Sequence, residues 1–287
     1  MKKSHKICWS FIGIGVILWS CLTAIPFIQA FFVSLQSCTG NVCHFGGMDN
    51  YIRLLHDRVF WQSLFNVTIY LIIEVPIMVF LGLILASIMN MNELRGKTFF
   101  RTSYFLPMVT AAVGYSIVFK MIFSNDGIAN SMLLNIGLMQ EQIHWLSDPI
   151  MSKLLIIISL LWKNTGYDMM LFLAAMQNVP RDTYEAAWID GSSSIRTFFQ
   201  VTIPQIKPVI FFSVIMSTIG TIQMFDEAQM ITGGGPGYST QTLSQYIYSL
   251  SFERVPDFGY AAAISFVIVI FVVILALIQK RVYGKDD

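Results

Sequence analysis

Apolar residues in this chain gather in long unbroken runs, not in the three-and-four spacing of a surface helix. Six runs reach the ~20 residues that a helix needs to cross a hydrocarbon core: Trp9–Leu35, Trp61–Met89, Thr102–Phe123, Met151–Met176, Val209–Gln229 and Phe258–Gln279. None alternates apolar with polar, as barrel strands do. The pattern predicts an all-α integral membrane protein with six transmembrane helices, forming a single transmembrane domain over 1–287. Lys2, Lys3 and Lys6 precede the first run as they would in a signal peptide. That run is longer than the ~7–15 apolar residues of such a segment, so it reads as a retained helix.

Charge placement orients the helices. With the N-terminus inside, the inner segments carry Lys2, Lys3, Lys6, Arg95, Lys97, Arg101, Arg181, Arg196, Lys207, Lys280, Arg281 and Lys285. The outer loops carry Arg53, Arg58 and Arg254. Twelve against three is a positive-inside bias. It places both termini and the loops 90–100 and 178–208 in the cytoplasm, and the loops near 36–60, 124–150 and 230–257 outside. Composition agrees, with 55% hydrophobic and 12% charged residues and a mean hydropathy of +0.63. A soluble domain carries about 25% charged residues. So little charge cannot cover that much apolar material in water, which excludes an ordinary cytosolic enzyme and a disordered chain. Net charge +1 offers no basic field for nucleic acid. Four cysteines are too few for a disulfide scaffold, and no Cys/His spacing fits a metal site.

Two loops do more than connect. In the outer loop Ile128, Met132, Leu133, Ile136 and Leu138 form a partly amphipathic run. It reads equally as a short helix on the membrane surface or as a loop packed on its own protein. In the inner loop, Pro180 stands where a helix begins, and Asp182 and Glu185 occupy the positive end of its dipole. Tyr184, Ala187 and Trp188 share a face at i, i+3, i+4, and Gly191 closes the helix as a C-cap would. A second short helix from Ser192 or Ser193 is expected to stop before Pro204, because proline disfavours helix at the residue preceding it. The result is a helix–turn–helix knob with exposed aromatics, which needs a partner. Cys38 and Cys43 in the first outer loop either pair, if the outside is oxidising, or stay as free thiols. Cys8 and Cys21 read as small apolar fillers.

Glu185-Ala186-Ala187, Asp190-Gly191, Ile203-Pro204 and Lys207-Pro208 span about two dozen residues of the inner loop. Together they resemble the "EAA" loop of permease subunits in ATP-driven (ABC) bacterial importers. Asn66-Val67-Thr68 resembles the start of that family's transport domain. Trp145-Leu146-Ser147-Asp148-Pro149, Phe225-Asp226, Thr232-Gly233-Gly234-Gly235-Pro236, Leu243 with Tyr246-Ile247-Tyr248, and Gly259-Tyr260-Ala261-Ala262-Ala263 resemble its carbohydrate branch, maltose-F-like or glycerol-phosphate-A-like. The likeness runs from about Asn66 to the C-terminus. It departs from the maltose subunit in lacking extra N-terminal helices and a large outer domain.

The resemblance implies a type I ABC importer fold whose coupling helix docks on a separate ATPase subunit through Tyr184, Glu185, Ala186, Ala187, Asp190 and Gly191. It implies as partners a second permease subunit, an ATPase dimer holding ATP and Mg, and an external binding protein that delivers a carbohydrate of oligosaccharide type. This chain would then bind no cofactor and catalyse no hydrolysis. Its run Gly233-Gly234-Gly235-Pro236-Gly237 lacks the Gly-Lys-Ser/Thr of a nucleotide loop and falls on the outer side.

Polar groups within spans are costly and nominate functional sites. Trp162, Thr165, Gly166 and Met169 share one face of the fourth span, combining a ring, a hydroxyl and a close-approach glycine. Sugars stack their C–H faces on such rings, and the resemblance implies sugar-lining positions there and at Gln223. Helix packing through small residues is the competing reading. Gln223, Asp226 and Glu227 are expected on one face at the outer end of the fifth span. Glu74 lies 13 residues into the second span (74 − 61) and Lys163 lies 12 into the fourth (163 − 151). Both spans start outside, so an intramembrane ion pair is expected, with a proton-relay role for Glu74 as the alternative. Asp168 is a third embedded charge with no partner that the sequence names.

The expected function is a permease subunit of an ATP-driven carbohydrate importer in the bacterial cell membrane. A secondary transporter using Glu74 and Asp168 as ion sites is the alternative, and it leaves the inner loop without a role. An embedded enzyme is disfavoured, since His5, His44, His56 and His144 are scattered outside the spans.

Overall fold

The computed structural model describes residues 12–40, 42–91 and 94–283. Lys2, Lys3, Lys6, Cys8, Lys285 and the first residues of the first expected span lie outside the described residues. The chain divides into two compact units. One holds the chain up to Phe60 together with Tyr246–Phe271; the other holds Trp61–Gln245 and the chain from Val272 onward.

In the first unit, α1 (Ile12–Ser34) is apolar all round and has none of its most apolar window buried within the protein. A hairpin follows, β1 (Gln36–Thr39) and β2 (Val42–Phe45), turning through Gly40 at φ +64°. Its register sets Cys38 opposite Cys43, and the two are joined as a disulfide. Of the two states open to these cysteines in the sequence, the structure adopts the paired one. Next, α2 (Asp49–His56) is tied to the hairpin by Asn50, whose Nδ2 donates to the carbonyls of Ser34 (2.9 Å) and Gln36 (2.8 Å). At Gly259 a Cβ would sit 1.9 Å from the Gln36 carbonyl oxygen. Only glycine permits this approach of the last helix to the hairpin.

The second unit contains most of α3 (Arg58–Asn90), which runs through Pro76 without ending. The expected third span, Thr102–Phe123, is not one straight helix: α4 (Lys97–Val109) and α5 (Ala112–Ile122) meet at 97°. Pro107 lacks the N–H that would bond the Ser103 carbonyl. Thr110 and Ala111 then turn extended, with ψ of 135° and 131°. The short outer helix exists as α6 (Ile128–Asn135). It leaves Ile128 and Met132 exposed, while Leu133 packs against Trp145, Leu155 and Ile231 as the packed-loop reading expects. Helix α7 (Pro149–Gln177) starts at an Asp148 cap that accepts from the Ile150 and Met151 amides.

The inner loop forms α8 (Arg181–Ile189), and the chain then enters α9 (Ser194–Ile222). Contrary to expectation, the helix opened by Ser193 does not stop before Pro204. A π turn at Phe198–Thr202 bonds the Ile203 N–H to the Phe198 carbonyl, five residues back. The wider turn shifts the ladder at the point where proline removes a donor, so the helix continues. The expected fifth span, Val209–Gln229, ends early at Ile222. Gln223 caps it, and a separate α10 (Asp226–Ile231) follows. The chain closes with α11 (Leu243–Tyr248), extended by a π turn at Ser249–Glu253, and α12 (Phe258–Tyr283).

Helices α1, α3, α9 and α12 are each long and apolar enough to cross a membrane, and the bent α4–α5 pair is a fifth candidate. Helix α7 has 29 residues, about 43 Å at ~1.5 Å per residue, and carries Lys153, Lys163 and Asp168 along it. Helix α7 covers the expected fourth span but, with these charges, is not among the helices apolar enough to cross a membrane, so among the described residues four or five of the six expected spans have such a helix.

Candidate functional site: the EAA loop and the buried polar groups

Helix α8 is bounded by local chemistry at both ends. Pro180 precedes it with extended backbone at ψ 136°. At the other end Gly191 takes φ +74°, its N–H bonds the Trp188 carbonyl (3.0 Å), and the Ser192 N–H bonds the Ala187 carbonyl (2.9 Å). This is the Schellman arrangement, which needs a left-handed residue at the position of Gly191. Glu185, Ala186, Asp190 and Gly191 are exposed, and Tyr184 and Ala187 are half-buried. Trp188 and Ile189 stand out at 61% and 87% exposure. On the inner side, Thr202 Oγ1 donates to the Tyr184 hydroxyl (3.3 Å), linking α8 to the π turn of α9.

The embedded charges do not pair as expected. Lys163 Nζ lies 2.7 Å from Glu227 Oε1, not against Glu74. The same Glu227 oxygen accepts from the Tyr115 hydroxyl at 2.6 Å. Glu74 instead accepts from Thr221 Oγ1 (2.7 Å) and Asn164 Nδ2 (3.4 Å). Equal depth along two helices fixes height but not direction. Neighbouring helical residues point about 100° apart, so Asn164 faces Glu74 while Lys163 turns toward α10. Asp168 accepts from Ser213 Oγ at 2.7 Å, and its other oxygen is buried without a partner.

Gln223, Asp226 and Glu227 do not share a face, because the helix breaks between them: Gln223 and Asp226 are exposed and Glu227 is buried.

The face Trp162, Thr165, Gly166 and Met169 splits as well. Trp162 is 45% exposed, with its ring against Tyr115 and Phe119 at 5.7 and 5.4 Å. Thr165 is buried and donates to the Leu161 carbonyl at 2.6 Å. At Gly166 a Cβ would fall 1.7 Å from the Tyr104 carbonyl oxygen, and Met169 lies in a core with Ala86, Phe172 and Ile206. Packing accounts for these three; Trp162 and Gln223 remain open for contact.

Asn66, which the sequence singled out, donates from Nδ2 to the carbonyls of Tyr238 (2.8 Å) and Gln241 (3.0 Å). It thereby anchors the chain that follows the glycine-rich run.

Sequence reasoning passed over Asp57. This carboxylate accepts from the Val59 and Phe60 amides at the head of α3 and from the hydroxyls of Tyr246 and Tyr260. Burial raises its pKa, but those hydrogen bonds together outweigh the burial and hold the group below its ordinary 3.8. Arg53 lies 4.0 Å over the Tyr260 ring and pairs with Asp257 at 2.6 Å. The signal available in sequence was an Asp two residues before an apolar run, an N-cap pattern.

Among the described residues no group of His, Cys, Asp and Glu is placed to hold a metal ion.

A family model described as the binding-protein-dependent transport system inner membrane component matches residues 56–284. The chain is 47% identical over 273 residues to the lactose transport system permease protein LacF of Rhizobium radiobacter, covering 94% of this chain and 92% of that one. It is 34% identical over 266 residues to the arabinooligosaccharides transport system permease protein AraP of Halalkalibacterium halodurans, covering 92% and 83%. In fold it is similar to a chain of a bacterial ABC transporter involved in the import of the acidic polysaccharide alginate. The TM-score there is 0.84 at 21% identity, over 99% of this chain and 96% of that chain. With its EAA loop formed and its spans matched over most of their length, this multi-pass membrane chain belongs to the family of inner membrane components of binding-protein-dependent transport systems.

Proposed function

We propose that the chain is the permease subunit of an ABC importer for a carbohydrate, set in a bacterial inner membrane with both termini and the loop 178–208 in the cytoplasm. A binding protein outside delivers the sugar, a second permease subunit completes the path, and a separate ATPase dimer carries ATP and Mg. The observation that carries this reading is α8 itself. It is a short helix with fixed ends that presents Trp188 and Ile189 to the surroundings, and apolar side chains so exposed beside the EAA residues suit the groove of a soluble partner. The sugars named for the lactose and arabinooligosaccharide relatives support the substrate class. Trp162 and Gln223 supply a ring and an amide for its faces and hydroxyls.

Coupling then follows from rigidity. Closure of the ATPase dimer draws the two coupling helices together and turns the cavity outward; hydrolysis lets it return. Tyr184, Glu185, Ala186, Ala187, Asp190 and Gly191 hold or meet the partner, and the Tyr184–Thr202 contact passes the movement into α9.

The test is Gly191→Pro. Proline is fixed near φ −65° where Gly191 has +74°, and it deletes the N–H bonded to Trp188. Membrane insertion should stay normal while ATPase stimulation by loaded binding protein is severed from uptake. Normal uptake in this variant would overturn the assignment.

A further inference from the structure

Trp162, whose half-exposed ring is where a sugar face would stack, is joined through Tyr115 to an ion pair. The Tyr115 ring lies 5.7 Å from that of Trp162 between centroids. It carries the Lys163 ammonium 5.5 Å from its own centre, a cation–π contact, and its hydroxyl donates to Glu227 Oε1 at 2.6 Å. The same carboxylate oxygen accepts from Lys163 Nζ at 2.7 Å. The two members of the pair are unequally covered: the Lys163 side chain is 22% exposed and that of Glu227 6%. Lys163 and Trp162 are neighbours in α7 and both rest on Tyr115, so a molecule seated on Trp162 meets the ammonium sooner than the carboxylate. An ammonium has three N–H donors. Glu227 engages one of them, which leaves donors for the hydroxyls of a sugar.

The pair is neutral as a whole, and that decides which sugars suit it. An anionic sugar would have to draw Lys163 away from Glu227 and would then face that carboxylate at close range. An uncharged sugar takes only the spare donors and leaves the pair intact. Discrimination of this kind rests on a repulsive element as much as on an attractive one. We propose that the Lys163–Glu227 pair makes the path selective for uncharged carbohydrates. Lys163 donates to hydroxyls of the sugar on Trp162, and Glu227 keeps that cation from a competing carboxylate. This role rests on the sugar path proposed above at Trp162.

In the experiment, the purified complex in lipid nanodiscs, without binding protein, is titrated by calorimetry with galactobiose and with digalacturonate. These disaccharides, taken with the same linkage, differ in carrying hydroxymethyl groups or carboxylates at C6. The native complex should prefer galactobiose. Glu227→Gln releases the ammonium and should move the preference about tenfold or more toward digalacturonate, the scale of one charge-assisted contact. Lys163→Met breaks the same pair but leaves the carboxylate, and should not move the preference that way. Lost packing alone would affect both variants alike, so an equal shift in the two overturns the proposal. A native preference for digalacturonate, or an unchanged preference in Glu227→Gln, overturns it too. Should Glu227→Gln not fold, Glu227→Met, of similar size and also uncharged, carries the same expectation. Trp162→Ala separates this proposal from the path beneath it. If neither sugar binds the native complex, or if Trp162→Ala binds them as the native complex does, the path fails and the proposal falls with it. If Trp162→Ala abolishes binding while the preference stays fixed in the variants at 163 and 227, the path stands and the role of the pair in specificity is overturned.

Discussion

Lys163, Glu74 and Asp168 could be named as embedded charges from the sequence, because charge inside an apolar run is conspicuous, but their partners could not. Glu227 reaches Lys163 from α10, an element that exists only because α9 stops at Ile222. The Thr221 hydroxyl that serves Glu74 is an ordinary residue in an apolar stretch. Removing one member of a buried pair leaves the other uncompensated, so Lys163→Met and Glu227→Gln should each lower thermal stability in detergent. Their double mutant should lose less than the sum, with a coupling of ~0.5–3 kcal/mol. Glu74→Gln combined with Lys163→Met should show a smaller coupling; an equal or larger one would reinstate that pair. Asp57 allows a second test at this scale. Its folded pKa lies below 3.8, so the stability it contributes is present above about pH 4 and is lost as pH falls through the lower folded value. Asp57→Asn should therefore flatten the acid limb of the Tm–pH profile, and a profile unchanged on that limb would show the network to be inert.

Among the elements, those legible in advance carry their instructions locally. Pro180, Gly191 and Ser193 sit at the positions that end or begin helices, and α8 formed between them as the sequence reads. The misread boundaries depend on contacts far along the chain. Pro204 looks like a stop, yet a π turn leads into it and α9 runs on through it and Pro208, and the bend at Thr110–Ala111 accompanies the close packing of α4 on α7. Gly166 is the pivot of that packing. Gly166→Ala would put a methyl carbon 1.7 Å from the Tyr104 carbonyl oxygen, and overpacking of this kind costs about 1–3 kcal/mol. Gly220 in α9 has nothing within 4 Å of the equivalent point. Alanine there should be neutral or stabilise by up to ~1 kcal/mol through helix propensity. The pair of variants separates contact from propensity: similar Tm changes for both would mean that α4 and α7 do not meet at Gly166.

For the molecule as a whole, the scarcity of charge marks a membrane protein, and the placement of the few charges predicts a direction. An apolar chain can be inserted either way up; the bias of Lys and Arg decides, because retaining them on the cytoplasmic side is favoured. The proposed function needs the orientation that this bias predicts. Only if the loop 178–208 lies inside can α8 meet a motor that uses cytoplasmic ATP, and only if the loops near 124–150 and 230–257 lie outside can a binding protein reach the sugar path. Orientation is thus a single premise under both the delivery and the coupling steps, and it can be measured without transport. In a background with Cys8 and Cys21 replaced by serine, and with Cys38 and Cys43 held in their disulfide, one reporter cysteine is introduced at a time. Glu141→Cys and Arg196→Cys both replace exposed residues, so burial would not mask either. A membrane-impermeant maleimide should label Glu141→Cys in intact cells and Arg196→Cys only after permeabilisation. The reverse pattern would turn the chain over, taking α8 away from any ATP-driven partner and removing the premise on which the importer mechanism stands.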